Sequence, residues 1–202
     1  MGPKVITLYG TLLESCVNIP IFVVVTGAEG GLLEGYGPIE LTVSGSEFLI
    51  GRLFEGKTFC VANAISDPGN LGTLIRTCEW FGVDALLLDD QCVDVYNPKV
   101  VQATMGSVLR LPIASATSEE LIEYFRLKGI PLLAADLNGT PIQSFKAPEQ
   151  WALVVGSESH GVSSQFVEAS ETRLTIPSMG SAESLNASIA GGIAIFQLKV
   201  NA

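Results

Sequence analysis

The last thirty residues constrain the fold more than any other stretch, because they predict a helix that is apolar or small on nearly every side. This helix runs to about Lys199. A helix that is apolar all round is buried rather than lying on a surface. Its adjacent glycines, Gly191 and Gly192, cost roughly 1 kcal/mol each relative to alanine. Close packing against other elements would offset that cost, so we predict a core helix here.

The segment that precedes this helix predicts a strand followed by a loop. Residues 173–176 alternate polar and apolar side chains, which is typical of a strand at a sheet edge. Pro177 cannot continue a central strand, and Gly180 allows a tight turn. Ser184 or Asn186 can then cap the helix, since both side chains accept hydrogen bonds from backbone N–H groups.

From Lys57 onward, predicted strands alternate with predicted helices. This order predicts an α/β domain with a parallel sheet and helices on both of its faces. The predicted strands cover residues 58–62, 85–88, 130–135, 151–155 and 173–176, and residues 108–112 are predicted to be extended. The predicted helices cover residues 70–81, 98–106 and 118–128, besides the apolar helix.

Residues 1–55 differ from the rest of the chain. Residues 21–25 and 39–43 predict strands, and a glycine-rich connection joins them. We therefore predict two parts, an N-terminal segment at residues 1–55 and a larger domain at residues 56–202.

The first chemically informative stretch runs from Ser66 to Arg76. Its Asp-Pro-Gly sequence is typical of a turn, and Asn70 is predicted to cap the helix that follows. Gly72 and Arg76 are four residues apart, on one face of that helix and away from its apolar stripe. Arg76 would thus project over a glycine, where a ligand backbone could approach closely. The alternative interpretation is a solvated arginine on a helix exterior.

The second stretch, residues 153–162, predicts a strand that ends at Gly156. Such a strand end places backbone groups at the carboxyl edge of the sheet, where ligands of α/β proteins bind. Glu158 follows in a loop, where a lone carboxylate is most often simply solvated. A Ser–His hydrolase is disfavoured, because the only histidine, His160, is directly beside the candidate Ser159 and badly placed as its base. The chain also has no P-loop and no dinucleotide-binding glycine fingerprint.

Taken together, three motifs resemble those of the SpoU/TrmH class of RNA methyltransferases in the SPOUT superfamily. Residues 70–76 match Asn-x-Gly-x-x-x-Arg, and residues 156–161 match Gly-x-Glu-x-x-Gly. Residues 176–188, Ile-Pro-Ser-Met-Gly-Ser-Ala-Glu-Ser-Leu-Asn-Ala-Ser, resemble the third motif. Ser157 departs mildly from the family, which usually has Asn, Gly or Ala there. The resemblance covers residues 57–200.

The resemblance implies a deep trefoil knot in the C-terminal part of the domain, an exception to the rule that chains are unknotted. It also implies S-adenosylmethionine bound in the knot between three loops, which follow strands ending near Ala135, Val155 and Ile176. By the same resemblance, the catalytic residues are Asn70, Arg76, Glu158, Ser184 and Asn186. The residues expected to hold the cofactor, largely by backbone contacts and packing, are Ala134, Gly156, Ile176, Met179 and Leu185.

The function that the resemblance implies is that of a cytoplasmic, homodimeric, S-adenosylmethionine-dependent 2′-O-ribose methyltransferase acting on rRNA or tRNA. Residues 1–55 would be a shortened substrate-binding domain. We expect no metal, because four cysteines without a Cys-x-x-Cys pair and a single histidine disfavour a zinc site. We expect no membrane association, because no apolar run is long enough to span a bilayer. The alternative function is a catalytically silent RNA-binding or ribosome-assembly protein with the same fold.

The net charge of −10 and the pI near 4.5 are unusual for a protein that binds RNA. Phosphates favour clustered lysine and arginine side chains. Any RNA contact must therefore rest on a local patch, for which Arg76, Lys99 and Arg110 are the candidates. The acidic balance favours the silent alternative slightly, whereas the retention of all three motifs favours the enzyme.

Overall fold

The computed structural model describes residues 56–201. The segment at residues 1–55, with the two strands predicted in it, lies outside this range. The strands are β1 (Thr58–Asn63), β2 (Ala85–Leu88), β3 (Ile113–Ser115), β4 (Leu132–Pro141), β5 (Trp151–Gly156) and β6 (Thr172–Thr175). The helices are α1 (Pro68–Trp80), α2 (Pro98–Ala103), α3 (Ser118–Lys128), α4 (Ser164–Ala169) and α5 (Ala187–Val200), with short 3-10 turns at Ser107–Leu109 and Ile142–Ser144.

These strands form one parallel sheet in the order β3-β2-β1-β5-β4-β6. Strands β2, β1 and β5 are buried along their whole length, as expected when helices cover both faces of a parallel sheet. Successive residues of β1 face opposite sides. Phe59 contacts Phe125 of α3, with ring centroids 5.4 Å apart, whereas Cys60 belongs to the core that α1 and α5 cover. The predicted α/β architecture with a parallel sheet is confirmed.

Gly191 explains why α5 carries glycine in its interior. A Cβ atom at this position would lie 2.9 Å from Leu74 Cδ1 of α1 and 3.3 Å from Val155 Cγ2 of β5. The missing side chain therefore lets α5 approach both elements, as the sequence predicts. A Cβ at Gly192 would meet only Thr77 Cγ2, at 3.3 Å, so close packing requires the second glycine much less.

One face of α5 is exposed, contrary to the prediction that this helix is buried on nearly every side. The residues Ile189, Ile193, Phe196 and Val200 follow the i, i+4, i+7, i+11 spacing of a single stripe and are 40% to 62% exposed. We call these four residues the α5 stripe. The prediction is wrong because the rest of the described chain covers only the other side of the helix. Between residues 56 and 201, no helix combines the length and the apolar character that crossing a membrane requires.

The prediction that residues 108–112 are extended is wrong. Gly106 has a φ of 88°, which ends the preceding helical segment and starts the 3-10 turn Ser107–Leu109. Arg110 follows this turn and pairs with Glu79 of α1. The extended segment therefore begins only at Ile113, as β3. Because β3 is three residues long and α4 is six, neither has enough periodicity to be predicted from the sequence.

Strand β4 does not end near Ala135, as the resemblance implies, but contains a bulge there. It pairs with β6 up to Ala135 opposite Leu174, and pairing resumes with Thr140 opposite the same Leu174. Residues 136–139 therefore project from the ladder. Gly139 allows the return to it, because a Cβ there would lie 2.5 Å from the carbonyl oxygen of Arg173. A loop is thus present at the predicted position, inside a longer strand.

Candidate active site

One polar side chain from each of the three sequence motifs meets at the carboxyl edge of the sheet. Asn70 Nδ2 donates to Glu158 Oε1 at 3.0 Å. Asn186 Nδ2 donates to Asn70 Oδ1 at 2.8 Å and also to Glu158 Oε1. We call these three residues the amide–carboxylate cluster. The structure thus brings together three of the five residues predicted to be catalytic.

Helix α1 places Asn70 in this cluster. The helix begins at Pro68, and Asp67 caps it by accepting the backbone N–H of Asn70 at 2.8 Å. The prediction that Asn70 itself caps the helix is therefore wrong, because Asp67 already occupies that role. As a consequence, the Asn70 side-chain amide remains available for Glu158.

Asn186 caps α5, as one of the two predicted candidates. Its Oδ1 accepts the backbone N–H groups of Ser188 at 3.0 Å and Ile189 at 3.3 Å. With the oxygen held in this way, Nδ2 points towards Asn70 and Glu158. The other candidate, Ser184, is exposed in the preceding loop and makes no hydrogen bond to any residue in the range 56–201.

A tight loop presents Glu158 to the two amides. Gly156 is paired with Asn63 of β1, and Ser157 forms an isolated bridge with Gly161. The N–H of Gly161 donates to the Ser157 carbonyl at 2.9 Å. A Cβ at Gly156 would overlap the backbone of Gly161, so glycine is required where the loop closes on itself. Gly161 also has a φ of 69°, which favours glycine.

Arg76 and Gly72 do not form the joint ligand face that their spacing suggests. Gly72 is buried against α2, since a Cβ there would overlap Ala103 Cβ and lie 2.9 Å from the Val100 carbonyl oxygen. Its role is therefore helix packing. Arg76 is exposed and makes no hydrogen bond or ion pair within the described part of the chain, so its guanidinium group is available to a ligand.

The residues predicted to hold the cofactor lie on or beside three neighbouring strands. Ala134 is buried inside β4, where it pairs with Val154 and Arg173. Gly156 ends β5, and Ile176 follows β6. Because β5, β4 and β6 are adjacent and parallel, the loops at residues 136–139, 157–161 and 176–186 lie along one edge of the sheet. The roles of these residues remain predictions.

Exposed apolar side chains occur on two of these three loops. Met179 is 93% exposed, Leu185 is 45% exposed, and Leu137 in the β4 bulge is 68% exposed. A ligand with an apolar or aromatic group would remove this surface from water, so the edge fits S-adenosylmethionine in this respect. Leu137 was not predicted as a site residue. The signal that could identify it is an apolar residue within a short Asp-Leu-Asn-Gly turn sequence.

Ser159 and His160 contact each other, but the carboxylate that a Ser–His–acid triad requires is missing from the described residues. Ser159 Oγ and His160 Nδ1 are 2.8 Å apart, so the two side chains do touch although they are adjacent in sequence. Both are exposed, and no carboxylate in residues 56–201 bonds to the imidazole ring. Without such a group, nothing orients the histidine as a base. The same range contains no group of three or more potential metal-binding side chains.

The three predicted RNA contacts differ in their availability. Arg110 donates from Nη2 to Glu79 Oε2 at 3.0 Å and pairs with the same carboxylate through Nε. These bonds, with one from Ser107, lower the pKa of Glu79 to about 2. Arg110 is therefore already neutralised. Lys99 and Arg76 are exposed and form no ion pair in the part of the chain that the structure covers.

Comparison with known proteins identifies the family. Residues 57–196 match the model of the SpoU rRNA Methylase family. The 23S rRNA (guanosine(2553)-2′-O)-methyltransferase RlmP of Bacillus subtilis is 33% identical over 149 residues, which are 73% of this chain and 60% of that protein. The 23S rRNA (adenosine(1067)-2′-O)-methyltransferase of Streptomyces azureus is 31% identical over 68% of this chain and 52% of its own length.

Solved structures similar to this chain are also RNA or SpoU methyltransferases. The AdoMet-bound rRNA methyltransferase from Sinorhizobium meliloti has a TM-score of 0.69 at 33% identity, over 73% of this chain and 57% of that one. The SpoU methyltransferase AviRb from Streptomyces viridochromogenes, in complex with AdoMet, has a TM-score of 0.70 at 25% identity, over 75% of this chain and 63% of that one. The chain thus spans about 50% to 60% of the length of most of these relatives. Its motifs, sheet order and matched residues show that it belongs to the SpoU rRNA Methylase family.

Proposed function

We propose that this chain acts as an S-adenosylmethionine-dependent RNA 2′-O-ribose methyltransferase on rRNA or tRNA. The observation that carries the proposal is the amide–carboxylate cluster, in which one residue of each family motif meets the other two by hydrogen bonds. A protein that kept only the fold would not need this arrangement. The names of the relatives from Bacillus subtilis and Streptomyces azureus support the same reaction.

Glu158 is the residue of the cluster best suited to face a substrate. Both amides donate to its Oε1, whereas Oε2 has no donor in residues 56–201. The two bonds fix the plane of the carboxylate and leave one oxygen open. We therefore assign Glu158 as an acceptor that orients a hydroxyl or ammonium group beside the reacting atoms. Asn70 and Asn186 hold it in place.

We further propose that the loops at residues 136–139, 157–161 and 176–186 hold the cofactor. When bound, S-adenosylmethionine supplies a methyl group on a sulfonium, which is electrophilic without further activation. Met179, Leu185 and Leu137 would exclude water from the site, and Gly156 would contribute backbone groups at the end of β5. Ala134 and Ile176 would support these loops from below by packing.

A homodimer that forms through the α5 stripe is part of the proposal. Four neighbouring apolar side chains that are 40% to 62% exposed form a surface that a second copy of the same helix can cover. The covered stripe would restore the burial that the sequence predicts for α5. We also propose a cytoplasmic location, and a division at residue 55 into a shortened substrate-binding domain and the methyltransferase domain.

The trefoil knot stays a proposal as well. In support of it, α5 packs against β5 and α1 on one side, while Asn201 Nδ2 donates at 3.1 Å to the carbonyl of Phe145, between β4 and β5. Stretching the domain between its ends by optical tweezers tests the knot. A knotted chain reaches a shorter extended length than its residue count allows, whereas an unknotted chain reaches the full length.

Two measurements test the function itself. Isothermal titration should give an affinity on the order of micromolar for S-adenosylmethionine and its demethylated product. Mass-spectrometric mapping should then find one ribose methylation that is lost without the gene. It should also be lost with Glu158→Gln, but kept with Glu168→Gln, an exposed glutamate on α4. Absence of heat with both ligands would contradict the enzyme, and binding without a lost methylation would favour the silent alternative.

A further inference from the structure

Two buried polar side chains at the carboxyl ends of β1 and β2 form hydrogen bonds to the loops that lead to the amide–carboxylate cluster, and neither belongs to a sequence motif. Asn63 ends β1 and is 1% exposed, and Asp89 follows β2 and is 2% exposed. Asn63 Nδ2 donates to Asp89 Oδ2 at 2.5 Å. A carboxylate buried to this extent is costly unless hydrogen bonds compensate for its lost hydration. The hydrogen-bond partners of Asp89 therefore indicate its structural role.

Asp89 holds the start of the loop that leads to α1. Its Oδ1 accepts the N–H of Ala64 at 3.0 Å and the N–H of Gln91 at 3.2 Å. Ala64 has a φ of 54°, a left-handed conformation that is unfavourable for a non-glycine residue. The bond to Asp89 stabilises this conformation, which directs the chain towards Asp67 and hence towards Asn70.

Asn63 holds the Glu158 loop at both of its ends. Its backbone pairs with Gly156, where the loop begins. Its side-chain Oδ1 accepts the N–H of Ser163, where the loop ends, at 2.7 Å. Because Nδ2 of Asn63 must face the carboxylate of Asp89, Oδ1 is turned towards Ser163. The charge of Asp89 thus selects the orientation of the amide that closes this loop.

We propose that Asp89 and Asn63 are positioning residues for the amide–carboxylate cluster. Through Ala64 they set the entry into α1, which carries Asn70. Through Gly156 and Ser163 they set the loop that carries Glu158. The pair therefore fixes the separation between two of the three members of the cluster. The proposal rests on the proposed function only for the catalytic meaning of the cluster, not for its hydrogen bonds.

Asp89→Asn tests the proposal in the full-length protein. The variant keeps the shape of the side chain, but its NH₂ group must face either Asn63 Nδ2 or the N–H of Ala64, which are both donors. We expect the side-chain amides of Asn70 and Asn186, observed by ¹⁵N NMR, to lose their dispersed signals. Their exchange with water should become about tenfold faster, as expected when a charge-assisted hydrogen bond is lost. The measurement needs neither cofactor nor RNA, so its result is independent of the proposed function.

Asp84→Asn is the control for a general loss of stability. Asp84 precedes β2 just as Asp89 follows it, and its Oδ2 accepts bonds from the N–H of Lys57 and from the N–H and hydroxyl of Thr58. It therefore supports the opposite edge of the sheet. Asp90→Asn, at the exposed neighbouring position, controls for the change of charge. Both controls should leave the two amide signals unchanged.

Ser163→Pro decides the question if Asp89→Asn fails to fold. Ser163 has a φ of −61°, which proline adopts without strain. The substitution removes the N–H that donates to Asn63 and puts a methylene group in its place. It also removes the Ser163 hydroxyl, which is buried but has no hydrogen-bond partner in residues 56–201. The same loss of the Asn70 and Asn186 signals is expected. Signals that match those of Asp84→Asn, in either Asp89→Asn or Ser163→Pro, would overturn the proposal.

Discussion

At the scale of single residues, Arg76 is exposed and unpaired within residues 56–201, so its guanidinium group is available for chemistry. We expect it to stay charged, to clamp the phosphate beside the target ribose, and to stabilise the developing oxyanion, since guanidinium groups do not deprotonate in proteins. Arg76→Ala should lower turnover by about 10²- to 10³-fold and leave cofactor affinity within a few-fold. Lys128→Ala, at an exposed lysine of α3, is the control and should change neither.

Arg76→Lys separates this role from that of a general base. Lysine keeps the charge but loses the planar fork, so the variant should be slow with an unchanged pH–rate profile. A profile whose apparent pKa moves away from wild type would mean that residue 76 itself titrates. In that case the proton of the ribose hydroxyl would pass to this side chain rather than to a phosphate oxygen or water.

Glu79 predicts a pH dependence of stability. Hydrogen bonds from Arg110 and then Ser107 lower its pKa from 4.5 to about 2. A carboxylate with a depressed folded pKa stabilises the fold above its unfolded pKa, and this stabilisation is lost as the pH falls through the folded value. Glu79→Gln should therefore be less stable than wild type near pH 7, and the difference should shrink between pH 4.5 and about 2.

Urea unfolding across this pH range measures the difference. Glu171→Gln serves as the control, because the Glu171 side chain is exposed and makes no hydrogen bond or ion pair inside the described region. Its difference from wild type should stay constant. A Glu79→Gln difference that is equally independent of pH would show that the bonds to Arg110 and Ser107 do not stabilise the fold.

The site could be predicted from the sequence only where its residues belong to a recognisable motif. Asn70, Glu158 and Asn186 each belong to one, so the sequence identifies them. Asn63 and Asp89 follow apolar runs and belong to no motif. Their role depends on their burial and on hydrogen bonds to backbone groups about 25 and 100 residues away, which the sequence alone does not show. The bulge that carries Leu137 depends on the register between β4 and β6, which no local pattern specifies.

At the scale of secondary-structure elements, the two glycines of α5 should differ in their tolerance of alanine. In Gly191→Ala the new methyl group would press on Leu74 and Val155, and overpacking of this kind costs about 1–3 kcal/mol, more than the gain in helix propensity of about 1 kcal/mol. Gly192→Ala meets only Thr77 and should be neutral or slightly stabilising. Thermal unfolding of the two variants should rank them in this order, and the reverse order would contradict the packing of α5.

The α5 stripe makes a second prediction at this scale. Ile193→Glu should convert a dimer into a monomer of 21.3 kDa, because a charge buried in an apolar interface lacks a partner. Leu127→Glu is the control, since Leu127 of α3 is 63% exposed and lies outside the stripe. Light scattering at micromolar concentration distinguishes the two. A wild-type protein that is already monomeric would remove the dimer from the proposal.

Most elements could be predicted because each carries its own signal. Thr117 and Glu120 form a capping box at the start of α3, and the apolar runs of β1, β2 and β5 mark strands buried on both faces. The exposure of α5 could not be predicted, because the sequence reports apolar character and not which surface covers it. The prediction of an extended segment at 108–112 failed because two successive left-handed residues, Met105 and Gly106, redirect the chain.

At the scale of the whole molecule, the charge distribution predicts weak binding of bulk RNA. The net charge is −10, and four basic residues of the described range, Lys57, Arg110, Arg126 and Arg173, are paired with carboxylates. Few phosphates can therefore be neutralised. Affinity for polyuridylate should depend only weakly on salt. A slope equivalent to about six or more released counterions would reveal a basic patch that residues 56–201 do not account for.

The bond between Asn70 and Asn186 has a consequence for how the protein acquires its function. It joins residues that are 116 positions apart, and contacts of such long range form late, because the entropy of closing the intervening chain must first be overcome. A partly folded intermediate that lacks docked α5 cannot contain the cluster, however native its remaining strands are. The side-chain amide signals of Asn70 and Asn186 therefore report on the progress of refolding, since they should appear at the step in which α5 docks.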